Sequence, residues 1–437
     1  MTTSVRVRHH PAQGRTGVRY VLAKASPTRH DGPDTRSNPT QQAAVTTEVP
    51  WVITTIASAA TRNRWSDTTA SPIGRHAPAI TLTMEVMSST VRRAAHTDIA
   101  ISLGLLSDHE LAGLLASGTP AGVGIGGRYL LVEVDGRQVF VKRIPLTDFE
   151  LLPENTRSTA NLFELPPFCH YGTGRSPGFG AWRELAVHTM TTNWVLSDRF
   201  TGFPLMHHWR VLPDTVQALP DELADVEETV AYCGGSPQVR GRLDALRTSS
   251  ASLTLFLEYF PYTLHDWLDT QVRTADSDGI CTQLDEWLAA LTGFLRERQL
   301  LHFDAHFQNV LTDGKEFFLA DYGLAFSSRF RLSRQERAFF DRHRDYDLVY
   351  SRAHLVNWLV TALYGYDRRE REAFVRACAI GAHPDGIPGA AAAIINRDAT
   401  LTAVVNGFLG RLRTESRQTP YPYEELRLAY NSSTLSA

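Results

Sequence analysis

The sequence predicts an α+β fold, with a small β-rich lobe followed by a larger helical lobe, and three observations carry that prediction. Two β-rich runs, Arg128–Val134 and Gln138–Ile144, flank Asp135-Gly136, a dipeptide that tolerates positive φ and is the strongest short hairpin signal. A compact apolar run, Leu253–Leu257, reads as a further strand, with Glu258–Thr263 as the linker that leaves it. Beyond that linker the apolar spacing turns helical at Leu264–Thr270, Leu284–Arg298 and Leu355–Leu363. Strands first and helices later, joined by one short linker, imply two lobes with a cleft between them.

Residues 1–95 mix Thr, Ser, Arg, Pro and Ala without sustained periodicity, so they offer little apolar surface against the entropy of ordering. A disordered tail is expected there; an organellar leader, or a translation start at Met84 or Met87, are the other readings of this stretch. From Thr97 the run SLGLLSDHELAGLLASG brings spaced leucines and a Ser or Asp helix start. The β-rich lobe is accordingly placed at 96–260 and the helical lobe at 261–437. Leu146–Gly180 is rich in Pro, Gly and Asn and reads as a long loop or insertion, and AWRELAVHTMTTNWVL after it as a helix.

Composition narrows the function classes. A chain of 437 residues, 43% of them hydrophobic, can bury one large core or two smaller ones. The formal charge of −3 argues against a basic nucleic-acid-coating protein, and no nucleic-acid partner is expected. That charge is uneven: residues 1–100 hold 12 Lys and Arg against 6 Asp and Glu. Cys169, Cys233, Cys281 and Cys378 form no CxxC pair, which speaks for a reducing compartment over a zinc ribbon or disulfide framework. No apolar run reaches the roughly 18–20 residues a bilayer span needs, so a cytoplasmic protein without a membrane span is expected.

Three stretches carry chemistry. GVGIGG contributes Gly122, Gly124, Gly126 and Gly127, whose backbone amides can approach phosphate oxygens; VFVK follows on a strand and ends in Lys142, within reach of the same phosphates. The helix after the long loop carries Glu184, a candidate partner for Lys142, with Glu150, Glu154 and Glu164 as competitors. In LLHFDAHFQNVL, Asp304 and Asn309 lie five apart in an irregular segment before a β-like run. A carboxylate held there can orient a hydroxyl and accept its proton, and the Asn oxygen can bind a metal ion. The turn at Asp313-Gly314 then returns the chain through EFFLADYG, which would set Asp321 beside Asn309 as an oxygen ligand for Mg²⁺.

These residues resemble the protein-kinase-like superfamily, which includes protein kinases and the aminoglycoside, choline and fructosamine kinases. HFDAHFQN is similar to its catalytic loop, DYG to the metal-binding DFG segment, VFVK to the VAIK strand and GVGIGG to the nucleotide loop. The likeness runs in the right order from Gly122 to Asp347. It implies a two-lobed kinase-like fold and ATP-dependent phosphoryl transfer to a hydroxyl of a protein or small molecule, with ATP and Mg²⁺. Asp304 would be the catalytic base, Asn309 and Asp321 the metal ligands, Lys142 the phosphate ligand and Glu184 its ion-pair partner. Glu258, Tyr259 and Phe260 would form the hinge whose backbone recognises adenine. His306 would stand near the transferred phosphate, and His302 would pack structurally.

The sequence also departs from that pattern. Phe303 replaces an arginine that pairs with a phosphorylated activation segment in many protein kinases, so control by that route is not expected. No APE motif follows DYG, and Arg128-Tyr129 follow Gly127 where a valine stands next but one. Arg329, Arg331, Arg334, Arg337, Arg342 and Arg344 face only Glu336 and Asp341 in the segment after DYG, which favours a neutral or acidic acceptor over a polycation. Two further readings stay open: a nucleotide-binding pseudokinase without catalysis, and a metal-dependent hydrolase built on the alternating His302, Asp304 and His306.

Overall fold

The computed structural model describes residues 89–274 and 276–435, and the fold over them is α+β with an antiparallel sheet. The first element is a helix, α1 (Ser89–Leu105), which corrects the boundary expected at 95: residues 89–95 are helical, and the rest of the expected tail, with Met84 and Met87, lies outside the described residues. Arg92, Ala95, Ile99 and Leu103 form its buried stripe. A charged residue opens that stripe, which is why composition alone reads the segment as solvated. Helix α2 (Asp108–Ser117) starts on a capping box, in which Ser107 and Glu110 each satisfy the other's backbone amide.

Strands β1 (Thr119–Gly124), β2 (Gly127–Val134) and β3 (Arg137–Leu146) follow. Asp135 and Gly136, at φ 50° and 72°, make the expected tight turn between β2 and β3. The expected long loop holds a short helix, α3 (Asp148–Leu151), and one 3₁₀ turn at Pro167–His170 before helix α4 (Ala181–Leu196), which coincides with the expected helix. Strand β4 (Met206–Pro213) then precedes three short helices, α5 (Asp221–Ala224), α6 (Val226–Tyr232) and α7 (Pro237–Leu246), and strand β5 (Ala251–Glu258). The five strands form one sheet in the order β1-β2-β3-β5-β4. Sequence patterning does not give β4, because MHHWRVLP lacks clean apolar alternation.

The two faces of this sheet are covered differently. Val132, Val134, Val139 and Val141 pack with Ile99, Leu103, Leu111 and Leu115 of the first two helices. On the other face Ile144, Leu253, Leu255 and Leu257 pack with Trp182 and Leu185 of α4. No single helix among the described residues is long and apolar enough to cross a membrane; the apolar stripes of α1 and α2 instead cover the sheet.

Beyond the sheet come β6 (Tyr262–Thr263), α8 (Leu264–Gln271), α9 (Ser277–Glu297), β7 (Leu300–Leu301), β8 (Val310–Thr312), β9 (Phe317–Leu319) and β10 (Phe326–Ser327). Helices α10 (Arg334–Arg342), α11 (Tyr346–Tyr364), α12 (Arg368–Ala379), α13 (Gly389–Thr414) and α14 (Tyr423–Leu435) complete the chain. The expected helices at 264, 284 and 355 are present, and the latter two begin earlier, at Ser277 and Tyr346. The largest apolar cluster lies here, joining Leu284, Leu288 and Leu291 of α9 to Leu355, Val356 and Leu359 of α11.

One glycine of the first hairpin is sterically obligatory. Gly127 adopts φ +130°, and a Cβ there would stand 2.1 Å from the Arg143 carbonyl oxygen. Gly127→Ala is therefore expected to cost about 1–3 kcal/mol in backbone strain before any clash is relieved. An unchanged urea midpoint would show that the hairpin does not hold this conformation.

Candidate functional site

The alternation of β3 turns Val139 and Val141 toward α1 and α2, and Phe140, Lys142 and Ile144 toward the opposite face. Lys142 is 3% exposed, and its Nζ lies 2.7 Å from Glu184 Oε1 and 2.7 Å from Asp321 Oδ1. The competing glutamates are elsewhere: Glu150 is buried against Arg242 and Thr147, while Glu154 and Glu164 are exposed. Glu150 nonetheless sets the start of α4, because its carboxylate accepts from Ala181 N and its carbonyl from Trp182 Nε1. That fixes the first turn from which Glu184 reaches Lys142.

Burial opposes a charge on Lys142, but the carboxylates of Asp321 and Glu184 overcome it and raise the ammonium well above its ordinary value. Partial desolvation likewise works against ionised Asp321, whose side chain is only partly covered, and Lys142 prevails, bringing the carboxyl down to about 2. A depressed carboxylate contributes stability that is fully present above its ordinary value and is lost as pH falls toward about 2, so the triad is intact at neutral pH.

The segment around Asp304 is held from below by Asp347, in the first turn of α11. Its carboxylate accepts from His302 N at 2.6 Å and Phe303 N at 2.9 Å. These bonds hold Phe303 at φ 66°, a conformation costly for a bulky residue, while its ring is buried against Tyr346 at 4.6 Å. Phe303 thus occupies an aromatic core. Asp304 N donates to His302 Nδ1, which leaves the His302 Nε2 hydrogen for Ala320 O at 2.9 Å. Tyr322 stacks edge-on between His302 and His188 of α4, with centroid distances of 5.7 and 4.6 Å, so an aromatic column links this segment to the Glu184 helix.

The β8–β9 hairpin brings the remaining candidate residues together. Val310 pairs with Leu319, and Ala320 N donates to Asn309 O at 2.8 Å, which sets Asn309 beside the residue preceding Asp321. Asn309 Nδ2 donates to Asp304 O at 2.9 Å and to Asp304 Oδ2 at 3.2 Å. With its nitrogen engaged, Asn309 offers Oδ1 as the donor for a cation, and the Asp321 side chain is 39% exposed. Two such oxygens suit a hard cation such as Mg²⁺. The alternating histidines do not suit a transition metal: both nitrogens of His302 are engaged, and among the described residues no three His, Cys, Asp or Glu groups gather to hold an ion. His302, Asp304 and His306 therefore do not converge as a three-ligand set among the described residues.

The glycine run is itself part of the sheet. Gly122 and Gly124 belong to β1, Ile125-Gly126 form the turn, and Gly127 opens β2, where an open loop was expected. A Cβ on Gly126 would lie 2.8 Å from Lys142 Nζ, so the turn passes directly over the ammonium. His306 Nε2 stands 3.7 Å from Asp304 Oδ2. At the expected hinge, the Glu258 carboxylate is buried in a two-point pair with Arg92, at 2.7 and 2.8 Å, and accepts from Leu205 N. Its side chain therefore faces α1, and the Phe260 ring stacks on Phe318 at 4.1 Å. That leaves the main chain at Tyr259 and Phe260 as the part of this linker able to meet a ligand.

Sequence reasoning missed three contributors. Arg92 lay in the stretch read as tail. Asp347 enters the sequence reading only as the end of the stretch that carries the resemblance. Gly172, in the long loop, packs so closely on Asp304 that a Cβ would stand 2.0 Å from Oδ1. Buried Arg417 holds that loop by donating to Phe168 O, Tyr171 O and Gly174 O. Such a clamp leaves no local signal, since its partners are 243 to 249 residues away. No protein-family model matches the chain, and comparison with curated proteins finds no significant match.

Proposed function

We propose that the chain is an ATP-dependent phosphotransferase of two-lobed, protein-kinase-like architecture, acting on a hydroxyl group. The observation that carries this reading is the convergence on Lys142 of Glu184 from α4 and Asp321 from the β8–β9 hairpin, both at 2.7 Å, with Asp304 tied to the same hairpin through Asn309. These residues come from four separate parts of the chain, and packing alone does not require a buried amine between two carboxylates.

On this reading Lys142 leaves Asp321 to bind phosphate oxygens and keeps Glu184 as its anchor. Asn309 and Asp321 would hold Mg²⁺, which when bound supplies neutralisation of the polyphosphate charge. Asp304 aligns the acceptor hydroxyl and takes its proton, held in place by the Asn309 amide and by the Asp347 carboxylate beneath the loop. The Tyr259 and Phe260 main chain would meet the adenine. Arg329, Arg331, Arg334, Arg337, Arg342 and Arg344 are all exposed, which supports a neutral or acidic acceptor. All four cysteines are free thiols, in keeping with a cytoplasmic location.

A nucleotide binder without transfer is the second reading, favoured by the closeness of Gly172 to Asp304 on the acceptor side. Labelled ATP with a panel of neutral and acidic hydroxyl compounds separates the two, since only the first yields a labelled acceptor. Asp321→Asn is expected to weaken Mg²⁺-dependent ATP affinity by about tenfold or more, the effect of losing one charged contact. Equal affinity of this variant and the wild type by calorimetry, with Mg²⁺ present, would remove Asp321 from the site.

A further inference from the structure

Tyr129 of β2 lies directly opposite Lys142 of β3, so the two side chains leave the same face of the sheet. Tyr129 is only 8% exposed, and its ring packs on Phe140 with centroids 5.5 Å apart. Its hydroxyl nonetheless ends at the glycine turn. A Cβ on Gly124 would lie 2.7 Å from the hydroxyl oxygen, and one on Gly126 would lie 3.8 Å from that oxygen and 2.8 Å from Lys142 Nζ. The phenol thus runs beneath the turn and stops in the space that the ammonium also reaches.

Buried phenol hydroxyls ordinarily find a hydrogen-bond partner. No group among the described residues hydrogen-bonds this one; the ring is buried, but the oxygen is not among the buried atoms left without a partner, so it keeps an opening to solvent through which a ligand's acceptor can reach it. Burial raises the phenol well above its usual value despite the neighbouring Lys142 ammonium, so at neutral pH it is an O–H donor. A partner common to an O–H donor and an ammonium must be an acceptor, and one carrying negative charge fits both. A valine, which the nucleotide-loop pattern has here, could not donate at all.

We propose that Tyr129 is a further ligand for the polyphosphate, donating its O–H to an oxygen of the group that Lys142 binds. This rests on the nucleotide reading above and adds to it a contact that is independent of the base. The same hydroxyl would help set the phosphate chain under the glycine turn, making Tyr129 a positioning residue as well as a binding one.

Calorimetry with magnesium-ATP and with magnesium tripolyphosphate, on wild type and Tyr129→Phe, tests this. The substitution removes one oxygen and keeps the ring that packs on Phe140. The expected result is a loss of about tenfold in affinity for both probes, as for a hydrogen bond to a charged group. Tripolyphosphate should also produce an ultraviolet tyrosine difference signal in the wild type that Tyr129→Phe lacks, a signature that a purely structural ring would not give. Unchanged affinity for both probes overturns the proposal. A loss confined to ATP overturns it as well, by moving the phenol to the base or ribose. If the wild type binds neither probe, the nucleotide reading itself falls, and Tyr129 with it; if the wild type binds both and Tyr129→Phe binds equally, only the Tyr129 assignment falls.

Discussion

Asp304→Asn is expected to lower phosphoryl transfer by about 10²–10⁴-fold, the usual worth of a general base, while leaving ATP affinity unchanged. The substitution keeps the size of the side chain, and its amide oxygen can still accept from Asn309 Nδ2, which now reaches Asp304 Oδ2 at 3.2 Å. Only the ability to take a proton is removed. Lys142 and Asp321, paired at 2.7 Å, are untouched, so the nucleotide contacts proposed for them would persist. Single-turnover transfer of labelled phosphate, paired with calorimetry, measures both quantities on one preparation. Unchanged turnover would take Asp304 out of the chemistry, and lost ATP binding would make its role structural.

Arg92→Met is expected to destabilise the fold by about 3–5 kcal/mol, because it strands a buried carboxylate. Arg92 is 3% exposed, pairs with Glu258 through two nitrogens and also donates to Thr201 O and Phe203 O. Among the described residues, the Glu258 carboxylate retains only Leu205 N as a hydrogen-bond donor after the change. Urea unfolding of Arg92→Met, Glu258→Gln and the double variant gives the coupling. The double variant should be less damaged than the two single losses together, since neither charge is then left unpaired. Additive losses would mean that the pair is not coupled, and a chain shortened to start at 96 should show the same deficit as Arg92→Met.

How much of this was legible in the sequence depended on the range of each interaction. The β2–β3 hairpin is encoded in two adjacent residues, Asp135 and Gly136, and the helix from Ala181 to Leu196 in the spacing of its own apolar side chains. Lys142, Glu184, Asn309 and Asp321 could be named because each sits in a short run of recognisable order, and the structure brings Lys142 to both carboxylates. Arg92 could not: nothing near it in the chain distinguishes an arginine destined for Glu258, 166 residues later, from one facing solvent. Strand β4 was missed for a related reason. It borders β5 at the sheet edge, so pairing partners far along the chain, and not its own alternation, make it a strand. Gly172 was visible only as one glycine among several in a long loop.

The clamp at Arg417 ties the order of synthesis to the finished site. Its guanidinium grips carbonyls at 168, 171 and 174, within the loop that abuts Asp304. A polypeptide made from its N-terminus has the glycine turn, Lys142 and Asp304 in hand long before residue 417 leaves the ribosome. Until then the wall beside the Asp304 carboxylate lacks its buried fastener, so the emerging chain carries Lys142 and Asp304 without the enclosure that the finished fold gives them.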